Sequence, residues 1–408
     1  MSDDVSAAII GAGPFGMAVA AQLRGVSTRL YGEPMRTWRR LMPPDMMLRS
    51  TWKDSSFPSP GDSGLTSAWA AATGRELSEP PPLPEFLAYA DWFMDRFVDE
   101  HDVDDVANVE LSGSRFRVTT TAGSETLASA VVVAVGVTPF GQVPHVFASL
   151  REDPAVSFAT GQNDYRRFAG HRVVILGGGQ GALEAALWCI RANANVEILV
   201  RSSITWFTDH EPWHERSPIR RRLHALAYPV VGFGPPIVNR LAIRPEIFTL
   251  LPMRPRVRLT RRVLRAGGSP WLREEVEAGA QITEGVTVRR AERSGETIEL
   301  ELSDGSRRQA DHVLLATGFA FDRGRLDFLA PDLQQRLELE SGWPQLDRTF
   351  QSSISGLYFV GFAAEARFGP AARFVRGARH AAPTVAAAIR GHPTRSVGYE
   401  ASSAAQSA

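Results

Sequence analysis

The sequence predicts an α/β fold of two parallel-sheet units, the smaller inserted into the larger. Three observations carry that expectation. A short apolar run at residues 5–10 ends in Gly11-Ala12-Gly13-Pro14-Phe15-Gly16 and continues as a helix-like stretch over 17–24. The same grammar returns downstream, where the run 172–176 ends in Gly177-Gly178-Gly179-Gln180-Gly181-Ala182 and leads into helix-like 183–192 and a second run, 195–200. Two further runs stop at glycine, 131–135 at Gly136 and 312–316 at Thr317-Gly318, and they frame the second unit as crossings between the two. Strand, glycine turn, helix and strand in that order is what a βαβ unit of a parallel sheet requires.

Each turn has a chemical reading. In the first, Gly11 permits the tight turn, Gly13 lets the backbone approach a pyrophosphate and Gly16 allows close helix packing, while the helix opening at Pro14 and Phe15 turns its positive end to the charge. A strand over 28–31 is followed by Glu33, about where a carboxylate accepts hydrogen bonds from an adenosine ribose. The second unit offers the same cradle in Gly177, Gly179 and Gly181, but its strand closes on Arg201 with no acid beside it, which suits a 2′-phosphate. Two dinucleotide sites and no obvious metal cluster point to one tightly held flavin and one exchangeable nicotinamide: FAD at the first turn, NADPH at the second. Gln180, beside the second turn, is the candidate for holding the nicotinamide amide.

The expected organisation is an FAD-binding Rossmann-like domain with an inserted, smaller NAD(P)H-binding Rossmann-like domain. Residues 1–165 and 310–390 make the first, 166–309 the second, and the small, polar stretch 391–408 a disordered tail. Segments 43–84 and 204–255, rich in proline and aromatic residues, read as ordered excursions, because their Trp and Phe side chains are costly to expose.

At 408 residues the chain is long enough for two or three domains, and 44% hydrophobic against 22% charged residues supplies more than one core. Lys plus Arg and Asp plus Glu both number 45, so no net field draws the chain to nucleic acid or an anionic membrane, and neither is expected as a partner. A small-molecule substrate is expected instead; a homo-oligomer stays open. Cys189 is the only cysteine, which excludes an intramolecular disulfide, a Cys-x-x-Cys pair and a thiolate-rich zinc site. No apolar run approaches the ~20 residues of a membrane span, and Met1-Ser2-Asp3-Asp4 is acidic where a signal peptide is basic. A soluble cytoplasmic protein is the expectation.

Five motifs in order, Gly11 to Gly16, 133–139 around Gly136, Gly177 to Gly181, Leu315-Ala316-Thr317-Gly318 and 356–361 ending at Gly361, resemble those of the two-dinucleotide-binding flavoproteins over nearly the whole chain. The disulfide reductases of that superfamily need two cysteines beside the flavin, and Cys189 alone cannot serve. The resemblance then favours the class B flavin monooxygenases, and within them the N-hydroxylating branch. It implies that NADPH reduces FAD and that the reduced flavin takes up O2 as a C4a-(hydro)peroxide, which oxygenates a small-molecule amine or other soft nucleophile. Members of the branch carry a Trp, a Met-Pro and a Leu-Gln, Ser, Lys-Asp segment by flavin and substrate; here Trp38, Met42-Pro43, Leu48-Arg49-Ser50 and Lys53-Asp54 stand there, with Arg49 in place of Gln. Trp38, Arg49 and Ser50 are thereby candidates for the cofactor site, with Thr317, Gly318, Gly361 and Phe362 from the later motifs. Where many members have Asp after the last motif, this chain has Phe362, so backbone amides must hold the flavin there.

Lys53 has an argument of its own, since it is the only lysine and the other 44 basic residues are arginine. A lysine kept among arginines implies a need for its compact ammonium, to bind a substrate carboxylate or a nicotinamide phosphate; its rival is a chance surface residue. His210 and His214 are four apart, but Pro212 between them argues against a shared metal, and none is expected. The arginines 216, 220, 221 and 222 read as a solvated face or a rim for an acidic ligand, and Arg367, Arg373 and Arg376 as helix-surface residues or neighbours of the flavin ring. Two other readings stay open: a flavin oxidase or reductase that transfers no oxygen, and an inactive nucleotide-binding protein.

Overall fold

A computed structural model describes residues 3–207 and 244–391. His210, His214, the arginines 216–222, most of the 204–255 excursion and the tail from 392 lie outside the described residues. The first sheet takes β1 (Asp3–Ile10), β2 (Thr28–Tyr31), β3 (His101–Asp102), β4 (Val106–Ser112), β5 (Arg115–Thr120) and β6 (Glu125–Val133), in the order β3-β2-β1-β6-β5-β4. β1 pairs in parallel with β2 on one side and β6 on the other, and Ala7, Ala8 and Ile9, whose side chains alternate between the two faces of the sheet, are all fully buried. That is why this stretch reads as a continuous apolar run rather than an alternating one.

The turn after β1 delivers α1 (Pro14–Gln22), whose residues from Gly16 to Ala21 are all buried. It lies between the sheet and the helix Ala378–Gly391 and also touches α5 (Leu83–Phe97). A Cβ on Gly16 would sit 1.9 Å from the Gly11 carbonyl oxygen, so only glycine lets this helix leave its strand so closely. After β2 come α2 (Arg36–Arg40), α3 (Trp52–Ser55) and α4 (Thr66–Thr73). The proline-rich segment is ordered as expected: Leu83, Phe86, Tyr89, Ala90, Phe93 and Phe97 form one buried stripe on α5, and Trp52, Phe57 and Trp69 pack on it. The Tyr89 hydroxyl accepts from the Phe57 amide at 2.7 Å and donates to the Gly64 carbonyl at 2.8 Å.

The second sheet is wholly parallel, in the order β10-β9-β8-β14-β7, from β7 (Val156–Phe158), β8 (Arg172–Leu176), β9 (Asn195–Val200), β10 (Ala280–Glu284) and β14 (His312–Leu315). One face carries α6 (Gln180–Arg191), against which Val173 and Ile175 pack. The other carries the antiparallel meander β11 (Val288–Ser294), β12 (Thr297–Leu302) and β13 (Arg307–Ala310), against which Val174 and Leu176 pack. The period-two alternation thus splits one strand between two cores. Leu339–Glu340 (β15) and Trp343–Pro344 (β16) form a short hairpin, and β17 (Leu357–Phe359) returns to the first sheet beside β6.

The α/β expectation and the insertion of one parallel unit in another both match. The boundaries differ: β7 precedes 165 and β14 follows 309, yet both belong to the second sheet, because each pairs in parallel with a strand of that sheet. No helix among the described residues is long and apolar enough to cross a membrane.

Candidate functional site

The two glycine turns have one backbone construction. Gly11 adopts φ +105°, and a Cβ there would meet the Ala134 carbonyl oxygen at 2.6 Å; Gly177 adopts φ +132°, with Ala316 O at 2.4 Å. Each turn is therefore pressed against the crossover strand of its own sheet, β6 or β14. Its amide donates to the neighbouring strand, Gly11 to Tyr31 O at 2.9 Å and Gly177 to Leu199 O at 3.0 Å. Gly13 and Gly179 are the N-caps of α1 and α6, and neither helix has an acidic residue in its first turn. Nothing lies within 4 Å of a Cβ on Gly13, so space in front of that helix end is open to a phosphate.

A cavity of about 1050 Å³ opens at the first turn. That exceeds the ~300–1,000 Å³ of ordinary ligand pockets. It is lined by Gly11, Gly13, Pro14, Phe15, Glu33, Trp38, Arg49, Ser50, Gly136, Gly361 and Phe362 from the first unit, and reaches Gln180 and Glu184 on α6 of the second. One space therefore touches both nucleotide units. At the end of the cavity beside β2 the Glu33 carboxylate is held by Arg36 at 3.1 Å and Arg40 at 2.7 Å. Partial burial alone would raise its pKa, but hydrogen bonds from Arg40 and Arg36 outweigh that and hold it below the ordinary value, so Glu33 is an acceptor at neutral pH.

The middle of the cavity is built by the loop before α3 and the segment after β17. Trp38 lies edge-on to Phe86, and Ser50 shares a hydrogen bond of 2.8 Å with Ser55. Asp54, 8% exposed, pairs with Arg376, which joins α3 to the final segment. Arg373 grips the buried Glu365 at 2.5 and 3.2 Å and lies 5.0 Å over the Phe362 ring. Burial raises the Glu365 carboxyl above its ordinary pKa and Arg373 opposes that shift. Arg373 and Arg376 both line the cavity, whereas Arg367 does not.

Several predicted residues stand elsewhere. Lys53 is exposed and does not line the cavity: on the single turn of α3 its neighbours Trp52 and Asp54 take the inward positions, which leaves the lysine facing out. Thr317 and Gly318 bind the two crossings to each other, through Thr317 Oγ1 to Gln142 O and Gln142 N to Gly318 O. Gly16, Gly177, Gly179 and Gly181 shape backbone without lining the cavity. Arg201, directly after β9 beside the second turn, is exposed and forms no hydrogen bond or ion pair among the described residues.

Gln180 is already engaged at both ends. The Ser269 amide can only donate, and it lies 2.8 Å from Gln180 Oε1, which fixes the side-chain nitrogen toward Glu184 Oε1 at 2.6 Å. Holding a nicotinamide would cost Gln180 one of these bonds. Glu184 is the residue the sequence reading missed, though its place one turn after Gln180 on the same helix face was available in the spacing. No cluster of His, Cys, Asp or Glu able to hold a metal occurs among the described residues.

The family model for pyridine nucleotide-disulphide oxidoreductases matches residues 8–227, more than half of the chain. The chain belongs to the pyridine nucleotide-disulphide oxidoreductase family. Solved structures share the fold over nearly its whole length. Ornithine hydroxylase from Pseudomonas aeruginosa is 19% identical with a TM-score of 0.73, covering 95% of this chain and 98% of that one. The cadaverine monooxygenase of desferrioxamine biosynthesis from Erwinia amylovora, solved bound to FAD, is 15% identical with a TM-score of 0.72, covering 96% and 95%. Bacillithiol disulfide reductase from Staphylococcus aureus is 17% identical with a TM-score of 0.65, covering 95% and 98%. No curated protein sequence matches the chain.

Proposed function

We propose that this protein is a cytoplasmic FAD-dependent, NADPH-using monooxygenase that oxygenates a small-molecule amine or other soft nucleophile. The observation that carries the reading is the single cavity running from the first glycine turn to α6 of the second unit, which lets a flavin held by one unit meet a nicotinamide held by the other. The resemblance to ornithine hydroxylase and cadaverine monooxygenase supports the same reading. The overall change is NADPH, a proton, O2 and substrate to NADP⁺, water and the oxygenated product.

FAD, when bound, supplies the redox chemistry with hydride from NADPH and with O2. The chain's own residues bind, orient and exclude water. The backbone from Gly11 to Gly16 and the positive end of α1 hold the pyrophosphate, and Glu33 accepts from the ribose. Phe362, Trp38 and Met42 give the cavity apolar walls, which keep water from the reacting centre. Arg373 and Arg376, fixed by Glu365 and Asp54, place positive charge along the same wall. The backbone at Gly177, Gly179 and Gly181 would hold NADPH, with Arg201 meeting its 2′-phosphate.

A second reading, a reductase acting on a disulfide, is favoured by the family and by bacillithiol disulfide reductase. Cys189 weighs against it as a source of thiolate: it lies in the core of the second unit, away from the cavity, and burial pushes its thiol up to about 12. The experiment reduces the FAD-loaded protein anaerobically with NADPH, mixes it with oxygenated buffer, and counts oxygenated amine and peroxide per NADPH. A transient absorbance between the reduced and oxidised spectra, with amine-dependent loss of peroxide, is expected. Stoichiometric peroxide with every amine, or reoxidation by a disulfide alone, defeats the proposal.

A further inference from the structure

Where the cavity passes from the first unit to the second it contains an unspent pair of opposite charges. Arg49 projects from the loop before α3, and its guanidinium lies 5.1 Å over the Phe207 ring. Among the described residues none of its five N–H groups takes part in a hydrogen bond or ion pair. Arg49 is exposed and lines the cavity, yet protein crowds it enough that burial lowers its pKa, with Glu184 opposing. Glu184 faces the same space from α6 with one oxygen fixed by Gln180. Among the described residues Tyr165 also lies within electrostatic reach of Glu184, and burial holds its phenol neutral.

We propose that Arg49 and Glu184 form a proton-coupled anion site: Arg49 anchors an anionic oxygen group of a ligand entering between the two units, and Glu184 takes up a proton from solvent as that group binds. The planar fork suits a carboxylate or a phosphate, and the ring beneath it covers one face while leaving the edge open. Before binding, the desolvation of Glu184 raises that carboxyl above its ordinary pKa, and the Gln180 hydrogen bond and, among the described residues, the Arg49 charge oppose it. An arriving anion claims Arg49 and adds a like charge nearby, and both effects favour the neutral acid. The proton count follows: Glu184 binds no proton when ionised in the free protein and one in the complex, so affinity rises as pH falls through its titration range.

That the ligand is a substrate or NADPH rests on the function proposed above; the charge pair itself does not. The test is calorimetric titration of the FAD-loaded protein, in two buffers of different ionisation enthalpy between pH 6 and 8, with two probes. NADP⁺ supplies phosphate, and 5-aminopentanoate, set against pentylamine, isolates a carboxylate. At least one probe should bind with net proton uptake and lose tenfold or more in Arg49→Ala, while Glu184→Gln removes the uptake and flattens the pH dependence. Which probe responds names the source of the anion. Flavin content and melting temperature establish that each variant is folded, and the near-isosteric Glu184→Gln keeps the acceptor that Gln180 needs.

Affinities of both probes unchanged in Arg49→Ala, no binding of either probe, or uptake persisting in Glu184→Gln overturns the proposal. A protein that binds anions this way but transfers no oxygen keeps the pair and loses the monooxygenase reading. Oxygen transfer with affinities independent of Arg49 does the reverse.

Discussion

The two glycine turns share a backbone and differ in what surrounds it. In the first unit the helix behind the turn is buried along most of its length, and the strand-end carboxylate Glu33 is locked by two arginines. In the second, α6 is amphipathic, with Gln180 and Glu184 turned to the cavity, and the strand-end Arg201 stands exposed. One frame thus yields a turn whose strand-end charge is already paired and one whose strand-end charge is unpaired among the described residues. The first suits a cofactor that stays, because its groups are fixed before binding and little ordering remains to oppose affinity. The second suits a cofactor that leaves each cycle.

The largest way to break this comparison is to fill the first turn. Gly11→Val places a Cβ 2.6 Å from a backbone carbonyl at a φ that side chains avoid, and neither β1 nor β6 can yield inside a two-sided sheet. Loss of retained FAD, and of soluble protein, is expected, measured as the flavin-to-protein absorbance ratio after reconstitution. A variant with full flavin would mean that the turn does not cradle the pyrophosphate.

At the second turn the effect should be smaller and selective. Arg201→Ala is expected to weaken NADPH about ten- to a hundredfold, the ~1.5–3 kcal/mol of a hydrogen bond to a charged group, and to leave NADH almost unchanged. Flavin reduction rates at varied NADPH and NADH read both. Equal losses would make Arg201 a structural residue and remove the 2′-phosphate contrast.

A smaller effect lies at the opposite end of the second sheet. Asp311, just before β14, accepts the Arg172 amide at 2.7 Å and the guanidinium at 2.8 Å, which ties it to β8. The Arg172 hydrogen bonds hold its carboxyl down at about 2. A folded-state value below the unfolded one stabilises the protein above the ordinary carboxylate range near ~4, and that gain is lost as pH falls toward about 2. Because Arg172 is 45% exposed, solvent screening limits the contribution to about 1 kcal/mol. Asp311→Asn should lower denaturant stability by that amount at pH 7 and by progressively less as the pH is lowered toward about 2; a pH-independent difference would assign the effect to packing.

The fold was legible because glycine turns, continuous apolar strands and crossover order are local patterns with few structural solutions. Two sheet boundaries were not, since β7 and β14 are short apolar stretches whose sheet is decided by pairing across more than a hundred residues. The site divided along the same line. Residues in the turns, Gly11 to Gly16 and Gly177 to Gly181, are where their motifs put them. Arg49 with Glu184 and Asp54 with Arg376 arise from contacts between distant segments, which no spacing in the sequence encodes. Composition was incomplete at one position: rarity made Lys53 conspicuous, but rarity carries no direction, and direction is set by the turn of α3, which faces the side chain out.

Lys53 gives the smallest expected effect and sharpens the comparison most cheaply, because its neighbour Asp54 is its control. Both sit on one helical turn. Asp54 faces in, lines the cavity and pairs with Arg376, so Asp54→Ala strands a guanidinium that is 20% exposed and should cost about 3 kcal/mol, near the lower end for a broken buried pair. Lys53 faces out, and the Arg379 side chain contacts its carbonyl, which any residue supplies, at 2.9 Å. Lys53→Ala should therefore leave flavin content, NADPH reduction rate and the ratio of oxygenated product to peroxide within about twofold, the scatter of surface substitutions. Increased peroxide with unchanged flavin reduction would show instead that the ammonium reaches the ligand, and would transfer to Lys53 the anchoring role argued for Arg49.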